Sequence, residues 1–227
     1  MLYVEATPEW CTTYPGAQIG LLELSQAENS GPCAALEEQK RILATSLRRR
    51  YRHLSRAELI CLPVMDAYVR YYKRFDKTYH VLLQLESLLH KGKDFHQVSP
   101  LVDANFMAEL ETFMLTAGHD ADKLCGKLWI DVARQGETFC QMGGAIKRVA
   151  KNDMVLRDEH GICCSVLYGQ DNRSPITPQT THVLYVTYAP PGIPASAIHA
   201  YWQKVLNYVR CFSPRVNLEQ QRILVAA

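Results

Sequence analysis

The stretch LVDANFMAELETFMLTAGHDADKLCGKLWIDVARQGE, residues 101–137, passes from one hydrophobic spacing to another. Its first part sets Phe106, Met107, Leu110, Phe113 and Met114 near the helical period behind Asp103, a residue type suited to a helix N-cap. The helix is expected to end near Gly118. From Leu128 the texture changes. Leu128–Val132, 138–142, 154–157, 162–168 and 183–188 are short runs rich in strand formers, divided by Gly136, Gly143-Gly144, Gly161 and Pro175. That spacing predicts a meander of strands.

Upstream, Leu36, Ile42, Leu43, Leu47, Tyr51 and Leu54 recur at helical spacing and predict a helix over about 35–54. Pro63 suits the first turn of a second helix, whose missing amide proton would have had no partner there, with Met65, Tyr68, Tyr72 and Phe75 on its buried stripe. A third helix, 81–90, carries Leu82, Leu85, Leu88 and Leu89 towards Gly92. Residues 2–25 alternate weakly around Pro15-Gly16 and predict two strands joined by a turn. Downstream of Pro194, with Ser196 as cap, Ile198, Tyr201, Trp202, Val205, Leu206 and Val209 form one apolar stripe of a last helix. Strands, helices, many strands and a final helix predict an α+β fold.

With 227 residues and 48% hydrophobic content the chain can bury one sizeable core, and no Pro/Gly/Ser-rich linker divides it. One domain over 1–227 is expected. No basic leader with an apolar core opens the sequence and no apolar run reaches the roughly 20 residues that span a bilayer, so no signal peptide, no membrane association and a cytoplasmic location are expected. The eight cysteines contain no C-x-x-C pair, which predicts reduced thiols, no metal site and no cofactor. Adjacent Cys163 and Cys164 would face opposite sides of a strand. The net charge of +2 is uninformative, but Arg48, Arg49, Arg50 and Arg52 surround Tyr51, and Arg70, Lys73 and Arg74 surround Tyr71 and Tyr72. Such clusters suit phosphate contact with base stacking, or equally a solvated helix face.

Leu101-Val102-Asp103-Ala104-Asn105, the segment Gly118-His119-Asp120-Ala121-Asp122-Lys123-Leu124, the run 126–130, Ala133 and Gly136-Glu137 follow in an order and spacing that resembles the B3/4 domain. That domain is the tRNA-editing module of the beta subunit of phenylalanyl-tRNA synthetase, and it also occurs in stand-alone proteins. Residues 153–158 resemble its strand ending in an acidic residue, Gly169-Gln170-Asp171 its Gly-Gly-Glu turn, and 177–184 its Thr-rich approach to a strand. The match is best over 77–190, loose over 1–76, and leaves 191–227 as a C-terminal helix and tail. The resemblance implies a layered β-sandwich of short, largely antiparallel strands with helices packed against it. It also implies a tRNA or aminoacyl-tRNA partner and a trans-acting deacylase of mischarged aminoacyl-tRNA; the alternative is a non-catalytic RNA-binding or amino-acid-binding module on the same fold. Aminoacylation is not expected, because 227 residues are too few for both this domain and an adenylate-forming one.

The resemblance further implies site residues. Thr180 aligns with a threonine at the edge of the editing pocket, and Asp171 with a glutamate that receives the substrate hydroxyl, one methylene shorter here. The family's histidine falls on Ala117, with His119 nearby to compensate, and a basic position is Asp131. His119 and Thr180 are therefore the catalytic candidates, and Asp171, Asn172, Glu137 and Asn105 the substrate-binding ones. Arg48, Arg49, Arg52, Arg70 and Lys73 are the RNA-binding candidates. Most have a plainer reading: capping for Asp103 and Asn105, turn bonding for Asp120 and Asp122, a helix-end contact for His119, an ordinary exposed turn for Asp171 and Asn172, and a solvated turn for Glu137.

Overall fold

The computed structural model describes residues 1–95 and 97–227. The chain opens with β1 (Val4–Ala6), α1 (Pro8–Thr13) and β2 (Gln18–Ser25). Two strands were expected here. The short helix is inserted because Pro8 fixes its first turn and the Thr7 hydroxyl accepts from Trp10 N, burying the Trp10 ring. Five helices follow: α2 (Ala34–Tyr51), α3 (Arg56–Ile60), α4 (Pro63–Lys73), α5 (His80–His90) and α6 (Pro100–Thr112). The rest of the chain is β3 (Thr116–Asp120), β4 (Leu128–Val132), β5 (Thr138–Cys140), β6 (Ile146–Arg148), β7 (Met154–Asp158), β8 (Gly161–Ser165), β9 (Gly169–Gln170), β10 (Val183–Ala189), α7 (Ala195–Arg210) and β11 (Asn217–Val225).

The strands form a five-stranded sheet in the order β1-β4-β7-β8-β9, a four-stranded sheet in the order β11-β2-β10-β3, and the separate hairpin β5-β6. Every pairing is antiparallel except β1 with β4. The architecture is α+β, with helices and largely antiparallel sheets as the sequence predicts. Ile198, Tyr201, Trp202, Val205, Leu206 and Val209 of α7 are all buried, as their spacing requires.

Tyrosines of α4 and the residue before α5 fix the surroundings of the site. Tyr68 and Tyr79 stack with ring centroids 4.5 Å apart. Leu115 N donates to the Tyr68 hydroxyl at 2.9 Å, and Tyr79 OH donates to Phe113 O at 2.9 Å. These bonds hold the connection from α6 to β3, where Phe113 takes a left-handed conformation (φ 61°) and turns the chain out of the helix. Tyr72 OH donates to Val166 O at 2.7 Å, beside the end of β8. One helix thus supports backbone from both sheets.

The start of α6 departs from the expected Asp103 cap. The helix begins at Pro100, and its Leu101 amide donates to Asn29 Oδ1 at 2.8 Å. Asp103, inside the first turn, accepts from Val98 N (3.0 Å) and from the buried Lys40 ammonium (2.8 Å), joining α6 to α2. No helix among the described residues is long and apolar enough to cross a membrane.

Candidate functional site

A cavity of about 460 Å³ opens where β3, the edge of the four-stranded sheet, approaches β9, the edge of the five-stranded one. Residues 115–118 form one wall, and 164–166 with Gly169 and Gln170 another. Val102 and Asn105 of α6, His80 of α5, Tyr188 of β10, Pro175 and Ile176 complete it, with exposed Val98 and Met142 among its lining. Gly118 lets Ile176 and the Tyr185 ring pack closely on β3. A Cβ at that position would fall 2.7 Å from Ile176 Cδ1 and 3.0 Å from Tyr185 Cε1.

Among the described residues the lining contains no Asp, Glu, Lys or Arg, so the cavity suits an uncharged group. Its polar atoms are few and held in place. His80 Nδ1 lies 2.9 Å from Tyr72 OH. The single proton of that hydroxyl goes to Val166 O, so Nδ1 carries the imidazole proton and Nε2 is left as an acceptor. Burial pulls the His80 pKa down to about 4, which keeps the ring neutral at pH 7. Asn105 Oδ1 accepts from Tyr201 OH, leaving its amide protons without a partner among the described residues. Ser165 Oγ donates to Asp153 and accepts from Tyr168 N at 3.1 Å. The Tyr188 hydroxyl is fully buried, faces the Cys164 thiol and has no oxygen or nitrogen partner among the described residues.

Of the candidates read from the sequence, Asn105 is in the cavity wall. His119, Asp171 and Thr180 gather elsewhere, where residues 171–180 fold back on the end of β3. His119 has no exposed surface; its Nδ1 lies 2.8 Å from Ser174 Oγ, and burial lowers its pKa to about 3. Ser174 Oγ donates to Asp171 Oδ1 at 2.7 Å, and the other Asp171 oxygen is 2.8 Å from Arg173 Nε. Arg173 continues to Asp158 at 3.0 Å. The hydroxyl therefore sits between carboxylate and imidazole, unlike the nucleophile, base and acid order of a hydrolytic triad. Thr180 Oγ1 donates to Asp120 Oδ2 at 2.7 Å and accepts from Thr177 N at 2.9 Å.

Glu137 accepts from Arg157 Nη1 (2.9 Å) and Nη2 (2.8 Å), while Arg157 Nε reaches Asp131 at 2.7 Å. Asn172 is exposed and anchored by its backbone to Cys140 O at 3.1 Å. Arg48 is occupied by Leu88 O, Lys93 O and Asp94, and Arg70 by Asp66 at 3.2 Å. Arg49, Arg52 and Lys73 are exposed, whereas Tyr51 is buried edge-on against Phe113. Cys164 lines the cavity while Cys163 lies 3.5 Å from Arg173 Nη2, on the other face of β8. Among the described residues no cluster of three or more His, Cys, Asp or Glu side chains is placed to hold a metal ion.

Sequence reading did not single out His80, Thr116, Ser165 or Tyr188, and took in Gln170 only as part of the 169–171 turn. They lie on five different elements or their edges, and no local spacing connects them.

A model of the B3/4 domain family matches residues 64–199, and all cavity residues, from His80 to Tyr188, fall within that match. The chain belongs to the B3/4 domain family. This B3/4 domain is also similar to an N-terminal fragment of the phenylalanyl-tRNA synthetase beta-subunit from Pyrococcus horikoshii. The identity is 9% and the TM-score 0.45, over 98% of this chain and 50% of that fragment, so the chain spans about half the fragment's length. No curated protein matches the sequence.

Proposed function

We propose that this B3/4 domain receives the aminoacylated 3′ end of a transfer RNA in the cytoplasm, with the amino-acid side chain in the cavity, and hydrolyses the ester. The observation that supports it most is an uncharged, amino-acid-sized cavity formed by the family-matched segment. Asn105 offers free amide protons to the acyl group, and His80 Nε2, neutral at pH 7, offers an acceptor to a water. In the reaction the water oxygen bonds to the acyl carbon, the ester bond to the ribose oxygen breaks, and a proton passes to that ribose oxygen. The products are a free amino acid and an uncharged tRNA. Positioning, rather than an activated side-chain nucleophile, would then supply the rate. His119, Asp171 and Thr180 act as positioning residues that hold β3 and the 171–180 turn, Glu137 secures Arg157 of β7, and Asn172 is at the exposed turn. Of the RNA-binding candidates, Arg49, Arg52 and Lys73 have no carboxylate partner among the described residues and can meet phosphates.

A second reading, a binding module without turnover, is favoured by the inward-facing bonds of His119 and Thr180. A panel of mischarged tRNAs separates the two, with amino-acid release followed for the wild type and for Val102→Trp, which fills the cavity. Release above the spontaneous rate that disappears in Val102→Trp supports the deacylase. Salt-sensitive binding without release, weakened by the same substitution, supports the module. Neither binding nor release contradicts both.

A further inference from the structure

We propose that Lys77 and Lys147, each set against the ring of Tyr168, form a phosphate-binding clamp beside the cavity. The Lys77 ammonium lies 5.9 Å and the Lys147 ammonium 4.8 Å from the Tyr168 ring centroid. The three residues come from separate parts of the chain: the link between α4 and α5, strand β6, and the link between β8 and β9. The arrangement is therefore built by the fold and is not a run of neighbouring basic residues.

Tyr168 directly precedes Gly169 and Gln170 of the cavity wall, and its carbonyl accepts from Gln141 Nε2 at 2.6 Å, beside the lining residue Met142. The clamp is thus tied to two parts of the cavity lining. Neither ammonium has a carboxylate partner among the described residues. Two like charges drawn to one ring repel each other, and the negative face of the ring offsets this in part. An anion between them would remove the repulsion.

The cavity chemistry indicates which anion. Among the described residues its lining holds no Lys or Arg, so a ligand that places a neutral group inside must have any negative charge met outside. Lysine ammonium groups are compact point charges suited to phosphate oxygens, and an aromatic ring beside them suits a nucleotide, whose base can stack. The ligand class is therefore a phosphate ester next to a nucleoside. Its source is the 3′-terminal strand of an RNA if the functional reading above holds, on which this assignment of source rests, or else a free mononucleotide.

The test uses the full chain with three probes: tRNA with an intact 3′ end, the same tRNA trimmed of its terminal nucleotides, and adenosine 5′-monophosphate. Binding is titrated over roughly 50–300 mM KCl for the wild type, Lys77→Gln/Lys147→Gln and Tyr168→Leu, with thermal midpoints confirming that the variants fold. Two single-strand phosphate contacts predict that the double variant lowers the slope of log K against log salt by about 1.4 for intact tRNA, with little change for trimmed tRNA. If the source is a mononucleotide, adenosine 5′-monophosphate binds the wild type and its affinity falls about tenfold or more in the double variant, while the tRNA slopes stay put. Failure of the wild type to bind any tRNA sinks the functional reading, and the mononucleotide arm then decides the clamp alone. Identical behaviour of variants and wild type with every probe overturns the clamp.

Discussion

Thr180 shows how a residue noticed for chemistry can be placed for architecture. Its hydroxyl bridges Asp120 Oδ2 and Thr177 N, closing the 171–180 turn onto β3, and it is 2% exposed. Replacing it by valine leaves a buried carboxylate oxygen without that donor, a loss of about 1–3 kcal/mol. Thermal denaturation of Thr180→Val is expected to show that loss, with Thr180→Ser restoring most of it, and ester hydrolysis well below the transition is expected to persist. Turnover abolished at unchanged stability would instead make Thr180 a catalytic residue. The resemblance pointed to His119, Asp171 and Thr180, and their side chains bond within two neighbouring sets at the end of β3, His119–Ser174–Asp171 and Asp120–Thr180–Thr177. It did not indicate that their polar atoms face each other. His80 and Tyr188 escaped notice for the opposite reason: each sits in an apolar run, and what brings them to the cavity is the packing of two sheets.

At the scale of elements, the long periodic segments were legible and the short or polar ones were not. Helices α2, α4, α5 and α7 and strands β4, β7 and β10 lie within a few residues of their expected positions, because each buries a continuous apolar stripe or run. Strand β11 was missed because NLEQQRILV is largely polar and lies at the sheet edge, where only Leu224 is buried. Helix α3 is five residues long and rests on the Ser55–Glu58 capping box. Helix α6 was expected to be capped by Asp103, but that carboxylate instead faces Lys40 of α2, and both side chains are nearly inaccessible. Asp103→Ala should destabilise the protein by about 3 kcal/mol, since it breaks a buried ion pair and takes the acceptor from the Val98 amide. Glu37, 2.7 Å from the same ammonium, limits the loss. Chemical denaturation checks this, and a change below about 0.5 kcal/mol would show that the pair does not fasten α2 to α6.

For the whole molecule, buried titratable groups fix the dependence of stability on pH. Burial lowers His119 from 6.5 to about 3 and His80 from 6.5 to about 4, so the unfolded chain binds more protons below 6.5 and stability falls as the medium is acidified. Burial raises Glu109 from 4.5 to about 8 and Asp153 from 3.8 to about 7, so the folded chain holds protons that the unfolded chain has released, and stability falls as pH rises through that interval. The two effects oppose each other between 4.5 and 6.5, above which the carboxyl effect acts alone until about 8. The thermal midpoint should therefore be highest near pH 5–6 and decline towards pH 8, and Glu109→Gln should flatten that decline. A midpoint that rises steadily from pH 6 to 8 would contradict this account. The same packing creates the cavity, which no single segment of sequence encodes although 101–184 supplies most of its wall. Its role is tested most directly by NMR with a non-hydrolysable 3′-aminoacylamino adenosine, which mimics the charged end of tRNA. Binding there should shift the amide signals of Asn105, Thr116, Gly118, Ser165 and Gln170 together, with Val102→Trp abolishing the shifts. Shifts confined to other surfaces, or none at saturating ligand, would show that this cavity does not receive the aminoacyl group.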